Sequence, residues 1–177
     1  GTLASNSSPL ARPVIVGLAL TLITLFVFWS AKDFEFLGYD DPGYFSVNNR
    51  VLAGITPSGG VWAFTTGAEA NWHPLTWLSL MLDAEIFGPG PAGPHLVNIL
   101  LHTANTVLVY VLLRRLTRVE WRSALVAGLF ALHPLHIESV AWIAERKDVL
   151  SLFFELLALL AYAKAVQNDP TAGWKKF

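Results

Sequence analysis

An apolar run from Val14 to Ser30 constrains this chain more than any other feature. A helix of about 20 apolar residues crosses the roughly 30 Å hydrocarbon core of a bilayer, and this run with its flanks approaches that length. In lipid a single segment pairs its own backbone groups only as a helix. Three more apolar stretches follow: His95–Leu116, Trp121–Leu132 and Val149–Val166. They predict an all-α integral membrane protein with about four transmembrane helices. Val14–Ser30 is long for a signal peptide, and Trp29-Ser30-Ala31-Lys32 makes a poor cleavage site, so the run is read as a retained span.

Composition agrees with this class. Of 177 residues 54% are hydrophobic and only 14% are charged, against about a quarter in a soluble domain. A net charge of −1 offers no basic surface for nucleic acid. The absence of cysteine excludes disulfides, thiol catalysis and thiolate metal sites. Seven Trp and eleven Phe suit a chain with much surface at headgroup level.

The expected organisation is a flexible N-terminus at 1–13, a membrane domain at 14–166 and a polar tail at 167–177. The domain carries an outer loop at 31–94 and an outer turn at 133–148. Within the loop, Pro74–Phe87 reads as a short amphipathic helix lying at the interface, with Trp77, Leu78, Met81 and Leu82 on one side. Pro134 should kink or end the third span. Four crossings place Arg12, Arg114, Arg115, Arg118, Arg122, Lys164, Lys175 and Lys176 on one side, with ten of the thirteen acids on the other. The positive-inside rule then puts both termini in the cytoplasm and the long loop outside.

Tyr39-Asp40-Asp41-Pro42 is the first candidate for chemistry. Close carboxylates push one pKa upward, which suits a general base. The plainer reading is an Asp-Asp-Pro turn. The second candidate is His133-Pro134-Leu135-His136-Ile137-Glu138 followed by Glu145-Arg146-Lys147-Asp148. A helix resuming after Pro134 would put Glu138, Trp142 and Glu145 on one face. Arg146 or Lys147 could hold an anionic leaving group such as a phosphate, or could simply anchor the helix among ion pairs. His133, His136 and Glu138 with His73 could ligate a metal, but their spacing matches no common site. Asn98, His102 and Asn105 form a polar stripe expected to make interhelical hydrogen bonds. Glu155, within the fourth span, should face a cavity or a partner.

These motifs resemble a family. Tyr39-Asp40-Asp41-Pro42, Asn71-Trp72-His73-Pro74-Leu75-Thr76-Trp77-Leu78-Ser79, His95 to His102, Leu112 to Leu116 and Ala131 to Leu150 occur in the order found in the membrane part of bacterial multi-span proteins that end in tetratricopeptide repeats. Those proteins are similar to the transmembrane-and-TPR O-mannosyltransferases and more remotely to the protein O-mannosyltransferases, all GT-C glycosyltransferases. The resemblance covers about Asp33 to Val166. It implies transfer of a sugar from a polyprenyl-phosphate carrier to an acceptor on the outer face, without a metal or other cofactor, in a bacterial inner membrane. It implies Asp40 as base with Asp41 in support, Arg146 on the lipid phosphate, and Glu138, Glu145 and Asp148 lining the same pocket. Asn71 or His73 could cap the helix that starts at Pro74, or Trp72 or His73 could lie over a sugar. Two other readings stand beside it. One is a non-catalytic accessory subunit of a larger membrane complex; the other is a small transporter using Asn98, His102 and Glu155.

Overall fold

A computed structural model describes residues 11–168, and these contain no strand. Most of the expected flexible N-terminus and polar tail lies outside the described residues. Eight α-helices organise the rest: α1 (Ala11–Phe28), α2 (Asn49–Leu52), α3 (Pro57–Thr65), α4 (Pro74–Phe87), α5 (Ala92–Thr117), α6 (Glu120–Leu132), α7 (His136–Ala141) and α8 (Arg146–Asn168). Short 3-10 or π turns join them at Trp29–Asp33, Pro42–Ser46, Ala68–Ala70 and Ile143–Glu145.

Among the described residues three helical stretches are long and apolar enough to cross a membrane: Ala11–Asp33, Ala92–Thr117 and Ile143–Gln167. The expected third span differs. Helix α6 has 13 residues, about 20 Å at 1.5 Å per residue, short of a roughly 30 Å core. It ends at Leu132 because Pro134 cannot continue it. The chain nevertheless returns through α6 and α7, because α5 and α8 run parallel. Asn98 on α5 meets Trp142 and Arg146, Asn105 meets Val149, and Arg115 meets Gln167.

Helix α5 is the axis of the bundle, packing on α1, α6 and α8. Leu20, Tyr110 and Ala127 join α1, α5 and α6. Phe28, Ile99, Val140 and Val149 close the same bundle nearer its other end. The spans hide their own hydroxyls, as Thr24, Thr103 and Thr106 each donate to the carbonyl four residues back. The polar stripe is buried and spent between helices. Asn98 Nδ2 donates to the Trp142 carbonyl at 3.1 Å, His102 Nε2 to Ala131 at 3.1 Å, and Asn105 Nδ2 to Val149 at 2.8 Å.

Above the bundle the segment between α1 and α5 builds a further core together with the turn before α8, from Tyr44, Phe45, Val51, Ala63, Trp77, Leu80, Met81 and Ile143. Helix α4 has the expected bounds and its Trp77 is fully buried. Of the side expected to be apolar, Trp77 and Met81 are in this core and Leu78 packs against it, whereas Leu82 is exposed, as is Ile86. Thr56 caps α3 by accepting from the Gly59 amide at 2.9 Å, with Pro57 in the first helical turn, where its missing N–H is no loss.

Candidate functional site

The resumed helix expected after Pro134 breaks at Trp142, which is extended (φ −102°, ψ 120°). Two side chains hold the break open. Asn98 takes the Trp142 carbonyl, and the Ala144 N–H donates to Asp41 Oδ1 at 3.0 Å. Glu138, Trp142 and Glu145 therefore do not share a helical face.

Asp41 is fully buried. Its second oxygen accepts from the Leu37 N–H at 2.8 Å. One carboxylate thus pins the segment after α1 to the turn that leads into α8. Burial pushes its pKa up; the two amides and the charge of His95 pull against that rise. Asp40, one residue earlier, is half-buried, and its carboxylate has no partner among the described residues. The acidic pair thus divides into an anchor and a free carboxylate.

Tyr44 lies at the centre of what surrounds Asp40. Its ring stacks on His73 (5.5 Å) and Trp77 (5.0 Å), and Lys147 Nζ sits 5.6 Å from the ring centroid. Lys147 pairs with Glu145 at 2.7 Å. Burial, and secondarily the charge of Lys147, hold the His73 imidazole below its usual pKa, so it is neutral near pH 7. Its Nε2 has no partner among the described residues.

Two cavities flank this centre. One, of about 620 Å3, is lined by Asn71, Trp72, His73, Lys147, Asp148 and Ser151 among others. The other, of about 580 Å3, is lined by Asp33, Glu35, Leu37, Glu138 and Trp142 among others. Tyr39 packs on Trp142 (6.3 Å), which brings the turn carrying Asp40 against the wall of the second cavity; Asp40 itself lines neither. Glu138 and Asp148 thus line different cavities rather than a shared one. Ser139 donates to Asp148 at 3.1 Å between them.

Arg146 is occupied differently from the phosphate contact expected of it. It is fully buried at the start of α8. Its Nε donates to Asn98 Oδ1, one terminal nitrogen to Ser79 Oγ at 2.6 Å, and the other to Asp83 Oδ2 at 2.6 Å and the Pro94 carbonyl at 2.8 Å. A guanidinium with all its faces taken by protein has no fork left for a ligand. Lys147, partly exposed and in a cavity wall, is a cation that a ligand in that cavity can reach. Ser79 and Asp83 went unrecognised in the sequence, although their i, i+4 spacing on α4 marks one helical face. Tyr44 carried no recognisable sequence signal.

The four candidate metal ligands do not converge. His73 lies against Tyr44, while His133 and His136 pair with each other (6.2 Å). Among the described residues no three such ligands are grouped for a metal. Glu155 is exposed on α8.

By fold and site the chain is a helical integral membrane protein with a carboxylate-centred site at one end of its bundle. Comparison with known proteins narrows that class. The chain is 32% identical over 171 residues to Protein O-mannosyl-transferase Tmtc1 of Drosophila melanogaster, covering 93% of this chain and 20% of the relative. It is 32% identical over 188 residues to Protein O-mannosyl-transferase TMTC4 of Homo sapiens, covering 94% and 25%. It is 36% identical over 157 residues to Protein O-mannosyl-transferase TMTC2 of Mus musculus, covering 84% and 18%. The chain is therefore O-mannosyltransferase-like over most of its own length, and it spans about a fifth to a quarter of these relatives. No family model matches it. No solved structure matches it.

Proposed function

We propose that this chain is the acid-bearing module of a GT-C membrane glycosyltransferase that moves a sugar from a polyprenyl-phosphate carrier to an acceptor hydroxyl. The observation that carries the reading is the Asp40 carboxylate, unpartnered among the described residues and flanked in sequence by Tyr39, which packs on Trp142 of one cavity, and Tyr44, which stacks on His73 of the cavity that also holds Lys147, in a chain whose relatives bear O-mannosyl-transferase names. The donor occupies the His73 cavity with its phosphate at Lys147. The acceptor enters from the Trp142 side. Asp40 takes the proton as the acceptor oxygen attacks the anomeric carbon; the bond from that carbon to the phosphate oxygen breaks, and Lys147 steadies the departing phosphate's charge. Asp41 and Arg146 touch neither substrate. Asp41 fixes the loop that presents Asp40, and Arg146 fixes the helix start that presents Lys147. The arginines around the α5–α6 turn support a cytoplasmic place for that turn by the positive-inside rule, and with it a site on the opposite face.

Asp40→Asn tests this in the full-length protein. Transfer from a polyprenyl-phosphate sugar should fall by about 10² to 10⁴, the usual worth of a general base, with an unchanged melting temperature. Unaltered transfer sinks the assignment.

A second reading, an accessory module within a larger membrane assembly, is favoured by Glu155. A carboxylate on an exposed face of a span requires protein or water against it. Unaltered behaviour of Asp40→Asn, with stoichiometric copurification of a defined membrane complex, supports it over the first.

A further inference from the structure

The backbone adopts a costly conformation at the edge of this site. Glu69 (φ 55°) and Ala70 (φ 56°) both lie in the left-handed region, where a Cβ crowds the following carbonyl. Two adjacent non-glycine residues there are uncommon. The Asn71 side chain supports the turn by donating to the Glu69 carbonyl at 2.9 Å. What the turn achieves is direction: it lays the Glu69 carboxylate over Gly43, two residues past Asp41. A methyl group on Gly43 would stand 2.7 Å from the Glu69 carboxyl carbon, so the glycine is what leaves room for it.

That placement stabilises nothing visible. Glu69 is exposed, and its carboxylate makes no hydrogen bond or ion pair among the described residues. Its charge acts on Tyr44, as do those of Asp40 and Lys147. Strain kept without a stabilising contact is characteristic of sites where geometry serves a ligand.

We propose that Glu69 binds the transferred sugar, its carboxylate, which lies over Gly43 and two residues before Asn71 of the His73 cavity, accepting hydrogen bonds from the sugar's hydroxyls. The proposal rests on the glycosyltransferase reading and names a residue that selects its donor. The chemistry is suitable. An ionised carboxylate offers about four acceptor positions and suits vicinal hydroxyls. Trp72, fixed by the donation of its Nε1 to the Phe64 carbonyl at 3.0 Å, supplies an aromatic wall to the same cavity. Lys147 is left for the phosphate and Asp40 for the acceptor proton.

The test uses the full-length protein in neutral detergent and two probes: mannosyl phosphate on a short polyprenyl chain, and the bare phosphate of the same chain. Binding is followed by tryptophan fluorescence, and transfer to a hydroxyl acceptor is measured on the same sample. Wild type should bind the sugar-bearing probe at least about tenfold more tightly, a difference of about 1.4 kcal/mol. Glu69→Gln should lose most of that preference, with unchanged affinity for the bare carrier and an unchanged melting temperature. Gly43→Ala, which displaces the carboxylate without removing it, should do the same. A full preference in both variants, or none in wild type, overturns the proposal. The two readings fail separately: preference lost in Glu69→Gln without any transfer by wild type supports this site and refutes the transferase, whereas intact transfer with preference unchanged does the reverse.

Discussion

Single side chains here divide into those that hold the site and those left free in it. Arg146 is the extreme of the first kind. Taking one partner from a buried ion pair leaves an uncompensated charge and costs about 3–5 kcal/mol. Asp83→Asn and Arg146→Met should each lower stability by about that amount, read by thermal or denaturant unfolding in detergent. The double replacement Asp83→Leu with Arg146→Met should recover most of the loss, since apolar replacement of both partners is often neutral. His73 gives a pH signature. Its folded pKa lies below the ordinary value of about 6.5. Between the two values the unfolded chain binds more protons, so stability is complete above about pH 6.5 and declines as pH falls towards the folded value. His73→Gln should flatten that decline in melting curves taken from pH 7 to 5. Ala70 shares the left-handed strain with Glu69 but has no carboxylate of its own. Ala70→Gly should raise stability by about 1 kcal/mol, because the left-handed cost of its Cβ disappears.

At the scale of elements, the α5–α8 seam depends on side-chain amides. Asn105→Leu removes one interhelical bond and should cost roughly 0.6–2 kcal/mol. Asn98→Leu should cost clearly more, because it also strips the Arg146 Nε and the Trp142 carbonyl of their partners. Unfolding measurements on the two variants compare these directly. The long helices were legible in the sequence, since hydrophobic runs report them directly. So were the bounds of α4, set by Pro74 and the Gly-Pro cluster after Phe87, and the interhelical use of Asn98, His102 and Asn105. The break at Trp142 was not legible. Local sequence favours helix there, and it is Asn98 and Asp41, 44 and 103 residues away, that capture the backbone groups. Helix α3 was hidden for a different reason: Gly59-Gly60 looks like loop, and the Thr56 cap with Pro57 outweighs it. The acidic pair was visible as a pair. Its division into an anchored Asp41 and an unpartnered Asp40 depends on where Leu37 and Ala144 come to lie, which no local pattern encodes.

For the whole molecule, the parallel course of α5 and α8 is decisive. Two parallel helices require the chain to come back between them, so the short α6 with α7 does the work of a crossing. The sequence has no cysteine, which makes single-cysteine labelling clean. Gly67→Cys and Arg118→Cys should be modified by impermeant reagents from opposite faces of sealed vesicles. Labelling of both from one face would remove the crossing topology and, with it, the placement of the site. The Arg146 socket bears also on how the molecule is made. Ser79, Asp83, Pro94 and Asn98 all precede Arg146 along the chain. Because synthesis proceeds from the amino end, the receptacle can be assembled before the cation that fills it is translated. The insertion of α8 is then conditional on its predecessors. A defect in α4 should appear first as an α8 that fails to integrate, before any defect in chemistry can be measured.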